Sequence, residues 1–224
     1  MNILHIAYSL SESSAATRLA YAQDSSGDKV YFLLGQNSSF PFVKQRQLLN
    51  KIYFLLSFVS RVLYKIMKIF SNIEKDEVFS FEIFDFYNPF FVKKLVKQYN
   101  IDVIHFHWCG AGFFSLRSIN NLKDYKIVIT FHDYHLATGG CHIPMGCKEF
   151  ISCERCPLLP RNKFFASFFG RLIKERKKLF LELAKNKNIR FISPSKYTYD
   201  FLSSGIEEKK HYLIGNVIGE KYYK

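Results

Sequence analysis

The 224-residue chain, 48% hydrophobic and 17% aromatic, is long enough to bury a core and too apolar for intrinsic disorder, while two compact domains would be cramped within it. Its formal net charge of +13 admits anionic partners, but no zinc-finger, helix-turn-helix or RNA-binding signature is present, which sets nucleic acid aside. Five cysteines follow an amino terminus without a basic region or cleavage site, which speaks for the reducing cytosol and against a secreted disulfide framework.

The opening MNILHIAY reads as a strand from Asn2 to Tyr8, followed by a helix from about Ala15 to Gln23 and a strand from Lys29 to Leu34. Phe42 to Phe70 carries apolar residues at helical spacing with Lys51, Arg61, Lys65 and Lys68 interspersed. This is a basic amphipathic helix that suits either the core or an anionic headgroup layer. Its longest uncharged run, Ile52 to Ser60, falls short of the ~20 apolar residues that span a bilayer. Further helices are read at Pro89 to Gln98 and Gly112 to Asn120, with strands at Val103 to Phe106 and Ile127 to Phe131. Residues 161 to 190 hold ten Lys/Arg against two Glu, within a helix read from Lys163 to Lys187. They offer an anionic surface a partner, or simply form a solvated face. A strand from Arg190 to Ile192, a serine-capped helix from Ser195 to Ser204 and a closing strand from Tyr212 to Ile214 complete the chain. The alternation predicts an α/β fold: a Rossmann-like, doubly wound, mostly parallel sheet with helices on both faces.

Chemistry in such sheets gathers past the carboxyl ends of the strands. His105 and His107 share one face of a strand, because side chains alternate with a period of two, and His107 lies nearer the carboxyl end. Phe131-His132-Asp133 repeats the arrangement one strand over. Thr130 to Leu159 then packs four of the five cysteines and three of the seven histidines into one aperiodic loop, a length that is usually functional or disordered. Cys141, Cys147, Cys153 and Cys156 suggest a structural zinc, although only Cys153-Glu-Arg-Cys156 has a common zinc-knuckle spacing. Two disulfides or buried free thiols are the alternatives, with His142 a spare ligand and Cys109 a core residue. Gly139 and Gly140 supply tight turns, and Ser195 and Lys196 stand at another carboxyl strand end, where a capped helix start with a solvated lysine explains them better from the sequence alone than a place in the cleft.

Together MNILHIAYS, DVIHFHW with Gly110 and Gly112, TFHDYHLATGGCHIPMGCKEFISCERCPLL and FISPSKYTYDFL resemble the amino-terminal, acceptor-side half of glycosyltransferase family 4 enzymes of the GT-B fold. The nearest branch builds bacterial surface polysaccharide. The resemblance runs from Met1 to about Gly219 and makes residues 1–219 one domain, with 220–224 starting a linker to a donor-binding half not found in this chain. It implies retaining transfer of a hexosyl group from a nucleotide-sugar to a lipid-linked or saccharide acceptor, on the inner face of the plasma membrane. It also implies no catalytic cofactor, and no activity without a donor half on a separate chain or a lost segment. His132 corresponds to the family's histidine in the cleft near the transferring sugar, and Asp133, the second catalytic candidate, either orients that ring, accepts from an acceptor hydroxyl or equally caps the turn that follows. Ser13 and Ser14 stand where the family has turn glycines and with Arg18 either bind an anion at the start of the next helix or, equally, form a plain helix cap; His107, Trp108, Gly139, Gly140, Ser195 and Lys196 join them as candidate substrate-binding residues. The competing expectations are a non-catalytic, zinc-stapled module that binds a membrane or a protein, and an independent nucleotide-binding protein, which the missing G-x-G-x-x-G disfavours.

Overall fold

The computed structural model describes residues 1–48, 62, 89–110, 113–144, 147, 152–153, 156 and 163–218. Among the described residues seven parallel strands form one sheet in the order β3-β2-β1-β4-β5-β6-β7: β1 (Asn2–Ala7), β2 (Lys29–Leu34), β3 (Gln47–Leu48), β4 (Val103–Phe106), β5 (Ile127–Thr130), β6 (Ile189–Ser193) and β7 (His211–Leu213). The helices are α1 (Ala15–Ser25), α2 (Pro41–Arg46), α3 (Pro89–Gln98), α4 (Leu116–Asn120), α5 (Lys163–Lys185) and α6 (Lys196–Leu202). The Rossmann-like α/β architecture expected from the alternating pattern is the one observed.

Two layers of side chains sandwich the sheet. Ile3 and Ala7 of β1 and Val30, Phe32 and Leu34 of β2 meet Ala16 and Ala20 of α1 and Val43 of α2. The other face carries Leu4, Ile6, Ile104, Phe106, Ile127, Ile129 and Phe191 against Val92, Leu95 and Val96 of α3, Ile119 of α4 and Phe180 and Leu183 of α5. Burial on both faces explains why these strands read as near-continuous apolar runs, as parallel strands do.

Local signals set the helix ends. The Ser14 side chain accepts from the Thr17 amide and caps α1, while Ser115 and Ser195 do the same for α4 and α6. After α3, Asn100 takes a left-handed conformation at φ 49°, and the Ile101 amide reaches back to the Val96 carbonyl at 2.9 Å. That closure stops the helix and turns the chain into β4.

Several boundaries differ from the sequence expectations. The helix read from Phe42 is the short α2, which ends at Arg46 before the chain joins the sheet edge as β3, a strand the apolar periodicity concealed. Apart from Val62, the remainder of that stretch, with Lys51, Arg61, Lys65 and Lys68, lies outside the described residues. The helix expected from Gly112 begins at Leu116, because Ser115 is its cap. Among the described residues no helix is long and apolar enough to cross a membrane.

Candidate functional site

The chain runs outward from β1 through β2 to β3 and returns on the opposite side as β4, so the sheet has its topological switch between β1 and β4. A crevice opens past the carboxyl ends at such a point. The register sets His5 directly beside His105. Strand alternation then carries His107 to the same face two residues on, and His132 follows β5 one strand over.

These rings form a connected series. Gln23 Oε1, from α1, lies 3.0 Å from His5 Nε2; His5 Nδ1 lies 2.9 Å from His107 Nε2; and His107 Nδ1 lies 3.2 Å from His132 Nε2. His105 stacks on His107 with centroids 4.2 Å apart, and its Nε2 meets Thr130 Oγ1 at 2.8 Å. His107 is only 2% exposed, whereas His132 is open to solvent, so the series runs from interior to surface. Burial lowers the pKa of His5 to about 4 against the pull of Gln23, and holds His105 and His107 well below 6.5, helped at His105 by His5 and His132 and at His107 by His105, His5 and His132. Desolvation lowers His132 too, with Asp133 opposing. Near neutral pH each ring is therefore uncharged, with one N–H and one lone pair.

Two cavities meet at His132. One, of about 330 Å³, is lined by Gln23, His105, His107, Thr130 and His132 and bordered by Ile214 to Val217. The other, of about 480 Å³, is walled by Trp108, His132, Asp133, Tyr134, His142 and Thr198. A planar indole beside a carboxylate, imidazoles and hydroxyls suits a sugar, which presents apolar ring faces and hydroxyl edges.

The loop after β5 is tied down by its own side chains and by α5. Asp133 Oδ1 accepts from the His135 amide at 2.9 Å and Oδ2 from His142 Nδ1 at 2.6 Å. Burial alone would raise the Asp133 carboxyl, but the His142 hydrogen bond, the charges of His135 and His142 and the His135 amide hold it below the usual carboxylate range. From α5, Arg176 donates to the His135 carbonyl at 3.0 Å and Lys177 to the Ala137 carbonyl at 2.8 Å. Two of the helix's cations thus point inward, while Arg171, Lys174, Lys178 and Lys185 remain exposed.

The structure brings Trp108, His132 and Asp133 to the outer groove, sets the buried His107 behind His132 on the inner cavity, and places the other candidates differently. The Ser14 hydroxyl caps α1, Ser13 is exposed, and Arg18 donates to the carbonyls of Ser13 and Val217. Ser195 caps α6 and Lys196 pairs with Asp200 in solvent; Thr198, one turn into α6, reaches the groove instead. Gly140 has φ 135°, and a Cβ on Gly139 would come within 2.6 Å of Ile173. His105 lines the inner cavity together with His107, although the sequence singled out His107 alone. His5 and Gln23 were missed; a lone histidine within an apolar strand was the available signal.

No disulfide joins the cysteines, and Cys109 is buried in the core as expected. Burial first, then the proximity of the thiols of Cys156, Cys153 and Cys147, pushes the Cys141 thiol up to about 12. The Gly139 amide donates to Cys153 Sγ at 3.2 Å. Among the described residues, the metal-type group whose ligand atoms fall within 4.8 Å of one another is His5, His105 and His107. The neighbouring nitrogens of His5 and His107 already sit at hydrogen-bond distance.

The family model for Glycosyltransferase Family 4 matches residues 16–219. The chain is also 27% identical over 150 residues to "Putative colanic acid biosynthesis glycosyl transferase WcaC" of Escherichia coli (strain K12), a match covering 62% of this chain and 36% of that protein. The chain thus spans about a third of the length of this relative. With most of its residues under the family model and a doubly wound parallel sheet beneath them, the chain belongs to glycosyltransferase family 4.

Proposed function

We propose that this chain is the acceptor-side domain of a retaining hexosyltransferase, which passes a sugar from a nucleotide-sugar to a lipid-linked or saccharide acceptor in bacterial surface polysaccharide synthesis. The observation that carries the reading is the groove shared by Trp108, His132 and Asp133 at the sheet's switch point, where His132 is the ring open to solvent. Trp108 offers an apolar face to the acceptor, His132 bonds a substrate oxygen, and Asp133 holds the loop that presents His132. A nucleotide-sugar is bound by a second half, so the chain alone turns over negligibly; both faces of a cleft are needed to hold two substrates in reacting geometry. The test joins or mixes the chain with a nucleotide-sugar-binding half and measures transfer. His132→Ala should cost about 100-fold, and undiminished transfer would defeat the assignment.

The domain is proposed to work at the cytoplasmic face of the plasma membrane. Phe164 and Phe168 are exposed at the start of α5 beside Lys163, Arg171 and Lys174, a surface suited to anionic headgroups. Cys141, Cys147, Cys153 and Cys156 are proposed to hold one structural zinc. Four thiols in sixteen residues, three of which raise the pKa of Cys141, supply the sulfur donors that suit this ion, which would draw them together to staple the loop and take no part in transfer. A purely membrane- or protein-binding module would share these two features, but leaves the His132 groove without a role.

A further inference from the structure

The rings of His5 and His107 lie behind His132 rather than in the groove, and nothing in the proposed transfer uses them directly. Their contacts nevertheless have a direction. A neutral imidazole donates through one nitrogen and accepts through the other, so a series of such rings has two polarities, and the group at its end selects one. Here the end group is the Gln23 amide, whose Oε1 faces His5.

We propose that Gln23, His5 and His107 are positioning residues that fix the tautomer of His132, leaving its Nδ1 as a bare lone pair toward the groove. Gln23 Oε1 can only accept, so His5 Nε2 carries the proton and His5 Nδ1 accepts from His107 Nε2–H, 2.9 Å away. His107 Nδ1 is then a lone pair and accepts from His132 Nε2–H at 3.2 Å. The low basicity of the buried rings keeps the series uncharged near neutral pH, so the polarity is not erased by an extra proton. His105 stands outside the series, with its Nε2 on Thr130.

The consequence narrows the ligand chemistry at His132 and rests on its proposed place at the substrate. A lone pair accepts from a sugar hydroxyl, whereas a phosphate oxygen has no proton to give it. His132 therefore faces a hydroxyl of the transferred sugar or the acceptor, and the nucleotide phosphates lie elsewhere.

Long-range proton–nitrogen NMR of the whole chain, labelled with ¹⁵N at the histidine rings and recorded near pH 7.5, reads the protonated nitrogen of each ring. The expected pattern is Nε2–H on His5, His107 and His132. Gln23→Lys places a donor at the end of the series and should invert it, giving Nδ1–H on His132. Gln23→Met removes the end group and should leave His132 a mixture of tautomers. Nδ1–H on His132 in the unaltered chain would overturn the proposal, as would a pattern indifferent to both substitutions. So would zinc, added alone, saturating the rings of His5 and His107 at one equivalent. In the reconstituted reaction Gln23→Lys should lower kcat about tenfold, the worth of one hydrogen bond, with KM for the nucleotide-sugar little changed. If the tautomer inverts and transfer is untouched, the relay stands and the substrate contact of His132 is what fails.

Discussion

His142 and Asp133 lie nine residues apart in sequence, and His142 Nδ1 donates to the Asp133 carboxylate at 2.6 Å, closing the loop that carries His132 into the groove. The carboxylate is 23% exposed and accepts the His135 amide as well, so its removal orphans two donors. Asp133→Ala should lower unfolding free energy by about 1–3 kcal/mol at pH 7, measured by urea denaturation. Because the folded-state pKa lies below the unfolded value near 3.8, this contribution is complete above that value and fades as pH falls through the folded one. A loss of the same size at pH 7 and well below pH 3 would contradict the account.

The buried histidines make stability depend on pH in a different window. His5 and His211 have their pKa lowered from 6.5 to about 4, so the unfolded chain binds more protons between these values. Their contribution is whole above pH 6.5 and is lost as pH falls toward 4. For His5 the full swing is roughly 3 kcal/mol. His5→Phe should reduce the slope of stability against pH by about 1.4 kcal/mol per unit in this range. An unchanged slope would show that His5 is protonated in the folded chain.

The adjacent glycines serve separate ends and should respond separately. A methyl group at Gly139 would press on Ile173 at 2.6 Å and on Cys153 Sγ at 3.3 Å, so Gly139→Ala should cost ~1–3 kcal/mol by overpacking. The clash is with Ile173 Cγ2, so Ile173→Ala, which removes that atom, should cost less in the Gly139→Ala background than in the unaltered chain, recovering part of that loss. Gly140→Ala, strained at φ 135°, should not be recovered by the same change.

Trp108 is the single tryptophan of the chain, and it edges the outer cavity 5.9 Å, centroid to centroid, from His142. Its fluorescence should therefore respond to a saccharide acceptor with no nucleotide-sugar present. His132→Ala should weaken that response about tenfold, as one lost hydrogen bond does. A saturating nucleotide that shifts the signal while saccharides do not would place the donor, not the acceptor, on this surface.

Metal analysis of the chain purified without chelator should return one zinc per molecule, falling to zero in Cys153→Ser and staying at one in His5→Phe. The opposite pattern would move the metal to the buried histidines, whose ligand atoms lie within 4.8 Å of one another.

Most of the architecture was legible along the chain because parallel strands and helices declare themselves through local periodicity: β2, α3 and β4 begin and end where the apolar pattern and the turn residues put them. The short β3 was not, since two residues carry no period and a sheet edge recruits them only once β2 is in place. His132 and His107 could be placed at strand ends by alternation alone. The pairing of His5 with His107, 102 residues away, could not, because it depends on β4 returning beside β1 and on a register that sets His5 against His105. Nor could the roles of Ser14, Arg18 and Ser195, whose side chains had open choices between ligand and backbone until packing supplied the nearest unsatisfied amide or carbonyl. Residue type and spacing settle which groups are available at each strand end, whereas the partner each group takes is a matter of distance, and distance exists only after the sheet has closed its order.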